Sequence, residues 1–170
     1  SLFADPYLYL CRNEADQRAI LRDLQNAARY AQQRGVVIVA AAGNEAHDLG
    51  HPEFDDISPD WPPDTAEVRE VGNNCRVAPA ELPGVITVSA TGVSTLAGYS
   101  NVGGSTVDVG APGGDAAQTP GTTFGRILAG LSSTDATATW KFLASIARGV
   151  EDAHGARWVS ISATSRAAAH

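Results

Sequence analysis

Residues 35–45 read Gly-Val-Val-Ile-Val-Ala-Ala-Ala-Gly-Asn-Glu, and Val36 to Ala42 is an unbroken apolar run. The run is too short for a membrane span and rich in β-branched residues, so it predicts a strand buried on both faces inside a parallel sheet. A helical pattern precedes it and stops at Gly35. Helix followed by strand is half of an α/β unit. Beyond the strand the chain turns on Gly43 and presents Asn44. That places Asn44 at the carboxyl edge of the sheet, where open α/β folds bind ligands. A side-chain amide fixed there can donate to an oxyanion. Gly-Asn is also an ordinary turn dipeptide, and on these residues alone both readings stand.

The helix is predicted from Asn13 to Arg34. Asn13 is the expected N-cap, with Glu14 and Asp16 in the first turn. Ala19, Ile20, Leu24, Ala27, Ala28 and Ala31 recur at helical spacing, and Gly35 supplies the C-cap. Ser1 to Leu10 reads as a loop leaving an earlier strand. Further strands are expected at Gly84 to Ala90, Val107 to Val109, Arg126 to Leu131 and Trp158 to Ile161, with a turn at Ser100 to Gly103 and a loop from Asp115 to Phe124. Trp140 to Val150 has helical spacing. No internal repeat is present.

The chain has 170 residues, the size of one ordinary domain. Its 12 Lys+Arg against 19 Asp+Glu give a net charge of -7, which argues against a nucleic-acid partner. Nine of the acidic residues fall between Glu45 and Glu70 with Arg69 as the sole cation, a local balance of -8. Pro52, Pro59, Pro62 and Pro63 forbid regular structure through much of the stretch from Glu45 to Pro83. Its Asp55, Asp56, Asp60 and Asp64 are either calcium ligands or a solvated acidic loop. His47, Asp48 and His51 suggest a metal only if a helix puts them on one face, and Gly50 and Pro52 argue against one. No apolar stretch is long enough to cross a membrane, and no signal peptide is visible at Ser1. Methionine is absent, as expected of a mature fragment or a chain that has lost its start residue. Cys11 and Cys75 are too few for a disulfide scaffold and wrongly spaced for zinc. One disulfide in a secreted protein and two free thiols are both compatible with them.

Three segments together resemble the subtilisin-like serine proteases, the subtilase or peptidase S8 family. They are Gly35 to Glu45, Leu82-Pro83-Gly84-Val85-Ile86-Thr87-Val88-Ser89-Ala90, and Tyr99-Ser100-Asn101-Val102-Gly103 leading to Val107-Asp108-Val109-Gly110-Ala111-Pro112-Gly113. The resemblance covers about Ser1 to Leu131. It implies a three-layer α/β sandwich with a mainly parallel sheet, here incomplete, and secretion from a bacterium. Residues 1–131 would be a partial catalytic domain with an acidic insertion at 45–83, and 132–170 a divergent C-terminal segment of it. The resemblance implies that Asn44 is the oxyanion-hole asparagine, that Ala42 and Gly43 line the primary substrate pocket, and that Cys11 bonds to Cys75.

The departures bear on activity. No Asp-Ser/Thr-Gly or His-Gly-Thr-His motif occurs in these residues, and the nucleophile motif Gly-Thr-Ser-Met-Ala is not intact. Its nearest echo is Ala163-Thr164-Ser165-Arg166-Ala167, which makes Ser165 the candidate nucleophile; Leu143-Ala144-Ser145 is a weaker match. Three functions follow. The chain is part of a serine endopeptidase acting on peptides. Or it hydrolyses activated esters or lactones with Ser165 or Ser145 and one of His47, His51, His154 or His170. Or it is a non-catalytic module that oligomerises or docks a missing N-terminal portion. No cofactor is expected beyond calcium in the acidic loop, and no nucleic acid or membrane partner.

Overall fold

The computed structural model describes residues 7–60, 62, 64–120, 125–131, 148–155 and 157–170. In chain order the elements are β1 Tyr9–Cys11, α1 Ala15–Gln32, β2 Ile38–Ala41, β3 Phe54–Asp55, β4 Arg69–Glu70, β5 Cys75–Val77, β6 Val85–Thr91, β7 Val109–Pro112, β8 Ile127–Leu131, β9 Arg148–Glu151, β10 Arg157–Ile161 and α2 Thr164–Ala167.

Helix α1 ends as its sequence predicts. Gly35 adopts φ +79, the amide of Val36 bonds the carbonyl of Ala31, and that of Gly35 bonds Gln32. This is the paired closure that favours glycine just past a helix. Its start differs: Glu14, not Asn13, is the N-cap, and no side chain caps the first turn. Asn13 accepts instead from the side-chain amide of Asn74 at 2.6 Å. The inward stripe is Gln17, Ile20, Leu21, Leu24 and Ala28, whereas Ala27 is exposed. Buried Gln17 accepts from the backbone amide of Cys11 at 2.7 Å, tying the helix to β1.

Strands β2, β6 and β7 form a parallel sheet in that order, with Ile38 opposite Val85 and Val88 opposite Val109. The sheet divides two clusters. Ala40, Ala42 and Val85 face α1 and the β1–β5 pair, while Val88 and Ala90 face Ala97 and Ala167 of α2. The expectation that Val36 to Ala42 is buried on both faces fails, because the strand is shorter and Val37 and Val39 are 71% and 45% exposed. Alternation puts them on the α2 side, and α2 covers only the carboxyl half of that face. The expected strand Val107 to Val109 begins at Val109 and runs on to Pro112. The proline is tolerated because, among the described residues, β7 pairs only with β6. Of the helix expected over Trp140 to Val150, residues 140–147 lie outside the described residues, and 148–150 belong to β9, paired antiparallel with β10. Tyr9 and Leu10, expected in a loop, belong to β1.

The acidic stretch from Glu45 to Glu70 is folded around its one arginine. Asp55 and Arg69 stand opposite each other in the β3–β4 ladder. The Asp55 side chain is fully buried and takes Arg69 Nη2 at 2.7 Å and Nε at 3.2 Å. Arg69 also donates to the carbonyl of Tyr9 and to Gln17 Oε1, and lies 4.9 Å from the Tyr7 ring. Asp55 is thereby committed to an arginine. Among the described residues no three His, Cys, Asp or Glu side chains converge as a metal set. Beside this pair, Cys11 and Cys75 form a disulfide across β1 and β5, 64 residues apart in sequence. A loop that long contributes about 4 kcal/mol in the chain-entropy account.

Two stability predictions follow from these contacts. Asp55→Ala leaves the Arg69 guanidinium without its buried partner and should cost about 3 kcal/mol in urea unfolding; a loss under 1 kcal/mol would show that the insertion is held otherwise. The second concerns Glu81, whose side chain is 2% exposed. Its Oε2 accepts from Val77 N at 2.7 Å, but Oε1 has no hydrogen bond and sits 3.7 Å from Arg76 Nε. Burial raises its pKa above the ordinary 4.5. The folded state then holds the proton more tightly than the unfolded one, so stability falls as pH rises from 4.5 through the folded pKa. Glu81→Gln should lack this slope, and melting temperatures of the two proteins should diverge as pH rises above 4.5. Parallel curves would contradict it.

Candidate active site

The carboxyl end of β2 is shaped by Asn101. Its side chain is fully buried. Its Oδ1 accepts from the amides of Glu45 at 3.1 Å and His47 at 2.9 Å, and its Nδ2 donates to the carbonyl of Ala42 at 3.0 Å and to Glu45 Oε2 at 2.7 Å. The same residue's amide bonds the carbonyl of Gly43. Gly43 adopts φ +114, and a Cβ there would fall 2.2 Å from Asn101 Nδ2. Only glycine fits a backbone this close to another side chain.

Asn44 is exposed and makes no bond to its own turn. Its Oδ1 accepts from Thr164 N and from Thr164 Oγ1, both at 2.9 Å. The N-cap residue of α2, Ala163, has no side-chain acceptor, so Asn44 caps this helix from the turn after β2. The bond fixes the amide's orientation. A backbone N–H can only donate, so the atom facing Thr164 must be the oxygen, and Nδ2 is turned away. Among the described residues Nδ2 meets no protein acceptor, and neither does the backbone N–H of Ser165 in the first turn of α2.

The hairpin strand β10 delivers α2 to this place. The amide of Ala163 bonds the carbonyl of Gly113 at 3.1 Å. The Tyr99 hydroxyl donates to Gly114 O at 2.7 Å and to Gly113 O at 3.2 Å. Burial, and then the charge of Asp115, push that phenol up to about 12, so it stays a donor. Thr164 and Ala167 are buried, and Ser165 is half-buried between them.

The candidate residues are thus partly assembled. Asn44 and Ser165 come together through Thr164, which the sequence reading passed over. The Ala42 methyl is fully buried in the core and Gly43 is half-buried. None of the four histidines hydrogen-bonds Ser165 among the described residues. His47 meets Tyr9 Oη at 3.3 Å and packs edge-on to Phe54, while His51 pairs with Asp48 at 3.2 Å. His154 lies in the β9–β10 turn and His170 at the last position. Ser145 lies outside the described residues. Next to the Asn44 turn is a cleft of about 340 Å3 lined by Ala46, His47, Asp48 and residues 51–54. Among the described residues no helix is long and apolar enough to cross a membrane.

The chain resembles a lanthipeptide protease, with 22% identity and a TM-score of 0.63, over 94% of this chain and 40% of that one. It also resembles the epidermin leader peptide processing serine protease of Staphylococcus aureus, at 26% identity and a TM-score of 0.55, over 95% and 35%. The nisin leader peptidase NisP of Lactococcus lactis shares 18% identity and a TM-score of 0.58, over 95% and 42%. The chain therefore spans less than half the length of these proteins. No curated protein sequence matches it. The model of the subtilase family matches residues 13–170, from just before α1 to the last residue and through both Asn44 and Ser165. This chain belongs to the subtilase family.

Proposed function

We propose that the chain carries the nucleophile and oxyanion parts of a secreted subtilase-type peptide hydrolase. The observation that carries this reading is the double hydrogen bond from Thr164 to Asn44 Oδ1. It holds an amide donor against the residue that precedes Ser165, the serine of the nearest echo of the nucleophile motif. As Ser165 Oγ adds to the substrate carbonyl carbon, its hydroxyl proton passes to solvent water and the carbonyl π electrons move onto the oxygen. The tetrahedral oxygen that results accepts from Asn44 Nδ2 and from the Ser165 N–H, and both donors are fixed before the charge develops. Positioning of this kind needs no reorganisation in the transition state. Among the described residues no histidine stands in hydrogen-bond contact with Ser165 to act as its base. The reaction of this chain alone is therefore slow, since an oxyanion hole without the triad retains about 10^3–10^4-fold over water.

A fluorophosphonate probe followed by peptide mapping tests this. Ser165 should be labelled slowly, and Ser165→Ala should abolish the label. Asn44→Leu should slow labelling by roughly a hundredfold. Thr164→Val, which removes the hydroxyl and keeps the shape, should slow it only a few-fold, because the Thr164 N–H still holds Asn44 Oδ1, with little change in melting temperature. Labelling of another serine, or a rate indifferent to Asn44, would overturn the reading.

A further inference from the structure

The two outer edges of the parallel sheet differ in how they are protected. Strand β7 is entered by Asp108 and ends on Pro112, which has no amide to offer a further strand. Strand β2 has no such guard. No charged residue and no proline stands between Arg34 and Glu45, and among the described residues β2 pairs only with β6. The amide of Ala42 bonds the carbonyl of Val88. Alternation therefore turns Ile38 and Ala40 to β6 as well, and leaves the backbone groups of Val37, Val39 and Ala41 on the outer edge. Val36, Val37 and Val39 are 51%, 71% and 45% exposed, and Ile86, in register with Val39, is 38% exposed. A row of open backbone groups beside exposed β-branched side chains is a template for another strand.

This edge is complementary to itself when inverted. Antiparallel pairing about Ile38 sets Val37 opposite the partner's Val39, and Val39 opposite the partner's Val37. All four turn their backbone groups outward from their own sheets. Each pair therefore exchanges both hydrogen bonds and packs valine against valine. The same inversion suits the charges that bound the edge. Arg34 comes toward the end where the partner carries Glu45, whereas parallel alignment would set arginine against arginine. The side chains stay on one face of the joined sheet, so Val37, Val39 and Ile86 of both chains make one apolar strip. The open parts of Val36, Val37, Val39 and Ile86 add up to about two whole side chains per protomer. That is too little for a permanent dimer, whose interface needs roughly 1,200 Å2 or more, and suits a reversible one.

We propose that β2 is a dimerisation edge, at which two copies of this chain join across a two-fold axis at Ile38 into one continuous six-stranded sheet. The inference stands apart from the hydrolytic reading above. Sedimentation velocity of the intact chain from about 2 to about 400 μM tests it. A monomer–dimer equilibrium that is half complete at roughly 10–100 μM is expected. Val37→Lys, at a position mostly in water in the monomer, should raise the dissociation constant at least tenfold. Val109→Lys, on the same face but in β7, should change it less than twofold. Under mild oxidation a mixture of Val37→Cys and Val39→Cys chains should cross-link, because those two positions stand opposite each other. Either chain alone should cross-link far less, since like positions are then too far apart for a disulfide. The cross-link reads the register whether or not the lysine variant folds. Three results would overturn the proposal. They are a chain that stays monomeric at about 400 μM, equal losses with Val109→Lys and Val37→Lys, and a single cysteine chain that cross-links as fast as the mixture. The first of these would leave the edge to a different polypeptide.

Discussion

One buried amide, that of Asn101, is the interaction on which the rest of the site depends. A polar side chain with no exposure is tolerable only when its donors and acceptors are met, and here all of them go to residues 42–47. By accepting from the amides of Glu45 and His47, Asn101 does for the turn what a turn asparagine ordinarily does for itself. Asn44 is relieved of that task. Its side chain can leave its own backbone and cap a helix 120 positions away in sequence. The close approach also forbids any side chain at Gly43. The Gly-Asn pair therefore has two reasons, one steric and one electrostatic, and both originate in the same neighbour.

What was legible in the sequence follows from the range of the interaction involved. The stripe from Ile20 to Ala28, the stop at Gly35 and the parallel pairing of β2 with β6 are set by periodicity, a left-handed glycine and β-branched runs, all of them local signals. The start of α1 was not legible, because Asn13 is drawn off by Asn74, which is 61 residues away. Nor was the exposure of Val37 and Val39, since a hydrophobic run reports what a strand prefers and not what covers it. At the site, Asn44 was visible from its position after a strand. Asn101 looked like one more turn residue, although its place in Ser-Asn-Val-Gly beside a second apolar strand was a usable signal. Thr164 was hidden because its role is defined by a partner 120 residues away. Arg69 had a plain signal that went unused: one cation among nine carboxylates is a natural centre for a buried pair.

That pair explains how an insertion with so many acids and prolines folds at all. Repulsion among its carboxylates opposes compaction. A guanidinium placed inside offsets it where the dielectric is lowest, and its fan of donors reaches Asp55, Gln17 and the backbone of Tyr9 at once. Lysine would offer a point charge and could not span these partners. Asp48, Glu53, Asp56, Asp60, Asp64, Glu67 and Glu70 stay in water, where their repulsion is screened. The same division of labour leaves the exposed charge between Asp48 and Glu70 acidic.

The uneven cover of the parallel sheet bears on where such a site can be built. On the α2 side Val88 and Ala90 are packed by Ala167, while Val39, Ile86 and Val109 remain 45%, 38% and 46% exposed. On the other side Ala40, Ala42 and Val85 are closed over by the α1 cluster. Only the carboxyl half of the sheet is therefore packed on both faces. Local opening is governed by how much apolar surface and how many backbone bonds are protected, so the carboxyl half is the rigid half and the amino half the soft one. Asn44, Thr164, Gly113 and Tyr99 all sit on the rigid half. A donor that must meet a developing charge without moving needs that placement, because even a small loss of position forfeits most of the advantage of a fixed dipole over water.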